Sequence, residues 1–369
     1  MTKAARHAEV DHASAAFHMA LSQIGVQTTA EALALWSDVP AAQRAATAGG
    51  WLRRAISLVM GRRRQSRDLA RAYYRLARAL MTGSTVADPY HPEPTHVTLS
   101  DLRRQFAELA GGNYTPSAPQ PAGGAATAER GEASPALTED DGQEEPDHDE
   151  DDEDWERVLV EEIEGLREEE ERIEREAEEE LRTVLEALGT SNLDKRLSGV
   201  DNGQPAREAD RQRNEAHRQA GAQQAAAASR VAMNGGRSTA WNHMRRDKRS
   251  LGYVRLSRTG SPCGFCAMLI SRGVAYKSQA SATFADGDLF HDNCHCYAAP
   301  IFSRQQYGSA ELFALNREYE ALWPQVTKGH SGKAALTVWR RFIRQKQRER
   351  QKAAAQEARQ LALNSAKEA

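Results

Sequence analysis

Cysteine is scarce in this chain and confined to one stretch. Its 369 residues hold four, at 263, 266, 294 and 296, which excludes a disulfide framework spread over the fold. Aromatics are also thin, 6% of residues against 27% charged, so several modest cores are expected rather than one large continuous core. No apolar run is long enough to span a bilayer, and no membrane partner is expected. The opening "MTKAARHAEVDHASAAF" interleaves charges and histidines where a signal peptide needs an unbroken apolar segment. A protein kept in a reducing compartment follows as the expectation, and it weighs against disulfides. The net charge of −3 is small, yet Asp and Glu crowd the middle of the chain while Lys and Arg crowd either side.

What is present is mainly helical pattern. The expected fold class is α+β, mostly α, in five segments. Residues 1–112 read as a helical domain. Within it a helix starts at a Thr29 cap and stops near Pro40, and a second carries Trp51, Ile56, Val59, Leu69, Tyr73, Leu76 and Leu80 before stopping at Gly83. A shorter helix has Ser100 as N-cap and Gly111 as terminator. Residues 113–154, rich in Pro, Gly and then Asp and Glu, read as a disordered acidic linker. Residues 155–229 read as a long helical arm with coiled-coil character, because Leu, Ile and Val recur every three or four positions among Glu and Arg. Residues 230–330 read as a small α+β module with strands at "LGYVRLS" and "CYAAPIF". Residues 331–369 read as a basic helix with Leu336, Trp339 and Ile343 on one face.

The cysteines fall as Cys263-x2-Cys266 and, after a gap, His291-x2-Cys294-x-Cys296. A CxxC turn aims two thiols at one point, and Pro262 and Gly264 suit such a turn. Cys294 and Cys296 share one face of a strand, with His295 on the other. Three readings compete. The spacing favours a structural zinc site, for which Cys263, Cys266, His291, Cys294 and Cys296 offer five donors for four positions. A disulfide pair is disfavoured by the compartment, and a reactive thiol is kept open by the spare donor. There is no HExxH helix of a zinc protease and no G-x-S-x-G elbow of a serine hydrolase.

The knuckle after a short basic strand, followed by "HDNCHC" running into "YAAPIF", resembles the MuF-like minor capsid proteins of tailed phages. With "ALALWSDVP", "WLRRAISLV" and "LARAYYRLARAL" near the start, it is similar to the actinobacteriophage branch named capsid maturation protease. The resemblance implies a head morphogenesis protein. Its partners would be the major capsid, scaffold or portal protein, in the host cytoplasm during assembly and then in the procapsid or virion interior. It also implies a peptidase activity, for which no catalytic residues can be named. Ser257 and Ser261, with His243 or His295, are the imaginable pairs.

The stretch 230–258 is strongly basic, with Trp241, His243 and Tyr253 interleaved, and the C-terminal "RRFIRQKQRERQK" repeats the theme. Arg245, Arg246, Lys248, Arg249 and Arg255 are therefore candidates for contact with packaged DNA. The competing possibility is that such arginines solvate helices or pair with the chain's own acidic segment. A zinc-stapled nucleic-acid-binding protein without a capsid role is the alternative function.

Overall fold

A computed structural model describes residues 2–40, 44–115, 156–201, 203–257, 262–276 and 296–368. Most of the linker expected over 113–154 lies outside these residues, as do His291, Cys294 and His295.

Three long helices make the body: α1 (Lys3–Ser37), α2 (Arg44–Thr82) and α6 (Ala206–Arg246), each packed against the other two. The start of α1 is capped by Thr2, whose hydroxyl accepts from Ala5 N at 3.3 Å. Thr29 is not a cap. It lies inside α1 with its hydroxyl donating to Gly25 O at 3.0 Å, so the carbonyl one turn back satisfies the side chain and the helix continues. α2 buries Trp51, Val59, Leu69, Tyr73, Leu76 and Leu80 and ends before Gly83, whose φ of 72° breaks it. In α3 (Leu99–Ala110) the cap is Thr98 rather than Ser100. The Thr98 hydroxyl accepts from Asp101 N at 3.0 Å, while Ser100 N donates to Glu156 Oε1.

The segment expected as an arm lies against the body. After β3 (Arg157–Glu161), α4 (Leu166–Leu188) packs on α2 and α6 and buries Ile173, Ala177, Leu181 and Leu185. α5 (Thr190–Ser198) leads back to α6. The expected boundary between residues 229 and 230 falls in the middle of α6, which runs unbroken to Arg246. Its helical period is hard to see because every residue from 231 to 244 is buried, leaving no polar face for contrast. Small residues permit this. A Cβ at Gly235 would sit 2.5 Å from Arg63 O and one at Gly236 2.6 Å from Ser66 O, so α2 and α6 meet backbone to backbone there.

Two three-stranded sheets flank the bundle. In the first, β3 lies between β1 (Ser84–Val86), which is parallel to it, and β2 (His96–Thr98), which is antiparallel. In the second, β4 (Gly252–Ser257) lies between β5 (Ala275–Tyr276) and β6 (Cys296–Ile301), antiparallel to both, in register from Gly252↔Ile301 to Ser257↔Cys296. β4 and β6 are the two strands expected from sequence. Tyr297 joins this sheet to the bundle, with its hydroxyl 3.0 Å from Ser14 Oγ and its ring 4.7 Å from that of His18 on α1. Val254, Tyr297 and Ile301 share one core with Phe17, Leu69 and Tyr73, so 1–112 and 230–330 are not independently cored.

The C-terminal part adds α7 (Gly264–Ile270), α8 (Arg304–Ser309), a 3-10 turn (Glu311–Phe313), α9 (Ala314–Val326) and α10 (Gly332–Glu368). Trp339 and Ile343 of α10 are buried against Ile270 and Tyr319, as the apolar stripe of that helix predicts.

Candidate functional site

The cysteine module is built by the turn into α7 and the first residue of β6. Cys263 caps α7, and its Sγ accepts from Cys266 N at 3.4 Å. A thiol caps the first turn here much as a Ser or Thr hydroxyl would, and the geometry fixes the CxxC spacing as a tight knuckle. Cys263 is exposed, whereas Cys266 and Cys296 are buried in one small cluster with Phe265 packed against it. Sequence neighbours 30 positions apart are thus brought together, because α7 leans on β4 and β4 pairs with β6. The thiol set fits a soft or borderline divalent metal. His291 and Cys294 lie outside the described residues, and among the described residues no group of three or more His, Cys, Asp or Glu is gathered closely enough to hold a metal.

The five basic candidates do not form one patch. Arg255 lies in β4 and is 5% exposed, so it adds no surface charge. Arg249 donates to Glu161 Oε1 at 2.8 Å, and Arg246 bonds Asn242 Oδ1 at 3.1 Å with Glu169 3.8 Å away. Arg245 lies over the Trp241 ring at 5.1 Å, and Lys248 is exposed. The interleaved aromatics Trp241, His243 and Tyr253 are buried and offer no platform for bases.

Composition gave no hint of the ionic seam behind them. Arg63, Arg67, Arg71, Arg75 and Arg78 run along one face of α2 and meet carboxylates from four other segments. Arg67 and Arg71 both donate to Glu170 Oε2 at 3.1 Å, and Arg63 donates to Glu174 Oε1 at 2.9 Å. Arg75 reaches Glu93 at 2.6 Å. Arg78 bonds Asp247 Oδ2 at 2.6 Å and Glu161 Oε2 at 2.7 Å. Burial pushes the carboxyls of Glu161 and Asp247 upward, but hydrogen bonds from Arg78 and Arg249 prevail, placing Glu161 at about 2 and Asp247 below its usual value. The signal available in sequence was the spacing of the arginines, matched by the Glu-rich run of α4.

His243 belongs to this seam. Burial lowers its pKa despite Glu170 Oε1 at 3.7 Å, so the ring is neutral near pH 7. Its Nδ1 is 2.9 Å from Thr239 O, which can only accept, so Nδ1 carries the proton. Ser257 sits elsewhere, on a cleft of about 510 Å³ that Asp11, His12, Glu311 and Asn316 also line. The imagined pairing of Ser257 with His243 therefore finds no support, and Ser261 and His295 lie outside the described residues.

With this geometry established, comparison with known proteins adds one positive finding. No curated protein and no solved structure matches the chain. Residues 202–322 match a phage-associated family. The model of that family is described as VG15 protein. The match supports a phage protein and takes in α6, the β4–β5–β6 sheet, all four cysteines and most of α9. No described helix is long and apolar enough to cross a membrane.

Proposed function

We propose that this chain is a phage head morphogenesis protein of the MuF-like minor capsid kind, acting in procapsid assembly and maturation beside capsid, scaffold or portal protein. The observation that carries the reading is the coincidence of the phage-family match over 202–322 with a folded module that buries Cys266 and Cys296 together beside the Cys263 knuckle. Cys263, Cys266 and Cys296, closed by His291 or Cys294, hold a zinc ion whose part is to cross-link α7 to β6. Cys263 and Cys266 at the start of α7 and Cys296 at the start of β6 are distant in sequence, so a metal held between them would tie the two elements together.

Three measurements test the proposal. Elemental analysis of the purified protein should find about one zinc per chain, lost when Cys263, Cys266 or Cys296 is changed to Ser; a metal-free protein overturns the zinc assignment. Co-expression with the phage's capsid, scaffold and portal proteins should give a co-purifying assembly, and its absence overturns the head role. Mass spectrometry of the same co-expression tests the capsid maturation protease reading: specific cleavage of a partner supports it, and intact partners count against it.

A further inference from the structure

We propose that the solvent face of α10 carrying Arg341, Arg344 and Arg348 is a contact site for the phosphate backbone of duplex nucleic acid. This places the contact away from the 245–255 cluster and outside the segment matched by the phage family. It does not depend on the head-assembly reading.

Residues 333–352 hold eight Lys or Arg against one acid, Glu349. Arg341, Arg344 and Arg348 fall on one face at helical spacing and line an open groove of about 430 Å³ with Thr337 and Gln345, all five exposed. From 341 to 348 the stripe spans ~10 Å of helix axis. None of the three forms an ion pair among the described residues; Arg344 bonds only Arg340 O of its own helix, at 3.3 Å. On α2, by contrast, Arg63, Arg67, Arg71, Arg75 and Arg78 are all matched by carboxylates.

The stripe is also held in place. The opposite face of α10 is anchored by buried Trp339 and Ile343. Gln347 Nε2 donates to Pro262 O at 2.9 Å beside the cysteine knuckle, and Lys346 pairs with Glu318 at 2.6 Å. Its charges are therefore presented on a rigid element rather than on a free tail.

The chemistry of the face selects the partner. A protein partner wants apolar or aromatic anchors, and the exposed large hydrophobics of the described residues (Met19, Val26, Leu33, Leu159 and Leu251) all lie elsewhere. A single strand wants aromatic rings for stacking, and this face has none. What remains is a row of guanidinium forks, which suits phosphate oxygens read without sequence.

The test is fluorescence anisotropy of the full chain with a mixed-sequence DNA duplex across about 50–200 mM salt. The unmodified protein should bind. In the combined variant Arg341→Gln, Arg344→Gln and Arg348→Gln, the slope of log K against log salt should shrink by about 2.7, the release from three phosphates. A charge-matched control, Arg245→Gln with Lys248→Gln and Arg304→Gln, should keep the original slope. If the triple variant folds poorly, Arg344→Gln alone should lower the slope by about 0.9. No binding by the unmodified protein, equal losses in stripe and control, or displacement of DNA by polyglutamate at equal charge would each overturn the proposal.

Discussion

Two helices of this chain carry arginine at regular helical spacing and use it in opposite ways. On α2, Arg63, Arg67, Arg71, Arg75 and Arg78 face inward and each meets a carboxylate from α4, β3, the 88–95 loop or the end of α6. On α10 Arg341, Arg344 and Arg348 face outward, and among the described residues no acidic element folds over them. The periodicity alone cannot separate these cases. Among the described residues, the deciding factor is a second segment rich in Glu, α4, that folds back over α2 and not over α10.

The sharpest way to break this contrast is to remove a buried partner on α2. Asp247→Ala leaves Arg78, 1% exposed, without its closest carboxylate and should cost roughly 3–5 kcal/mol in chemical denaturation. Adding Arg78→Met should cost less than the sum of the two single changes; strict additivity would mean that the pair is not coupled. Next in size is Gly235→Ala, whose Cβ meets the Arg63 carbonyl at 2.5 Å. It should cost about 1–3 kcal/mol as α2 and α6 are pushed apart, and an unchanged midpoint would show that the helices are not in backbone contact.

Acid titration separates the two helices differently. The folded-state pKa of Glu161 is held down at about 2, so its contribution is present above its unfolded value of about 4.5 and disappears as pH falls through 2. Glu161→Gln should therefore flatten the fall of the unfolding midpoint over that window, with Asp247 leaving a residual slope of the same sign. The smallest effect is expected on α10, where replacing Arg341, Arg344 and Arg348 by Gln should shift stability by no more than about 0.5 kcal/mol. A larger loss would place those side chains in a structural role.

How much of this was legible depended on local contrast. The stripe of Trp339 and Ile343 and the alternation of 252–257 stood out because one face is apolar and the other is not. The CxxC knuckle was legible because its geometry is written in four adjacent residues. The continuation of α6 was hidden by its burial on all sides, and the sheet of β1, β2 and β3 by strands of three to five residues, two of them far too short for a period to emerge. The arginine–carboxylate seam was visible only as two separate charge patterns. Apart from Arg75 with Glu93, 18 positions on, its pairs span 83–169 positions, and nothing local encodes them.

The position of α6 in the chain has a consequence for synthesis. α1 and α2 are complete by residue 82, but the helix that covers both ends only at residue 246. At roughly 5–20 residues per second, a ribosome takes about 8–33 s to make the intervening 164 residues. For that interval the apolar surface of α1 and α2 that α6 will cover has no final partner, and a chaperone, or α4 arriving first with its glutamates against the α2 arginines, has time to occupy it. The speed with which this protein is made thus becomes a variable in whether it folds or aggregates.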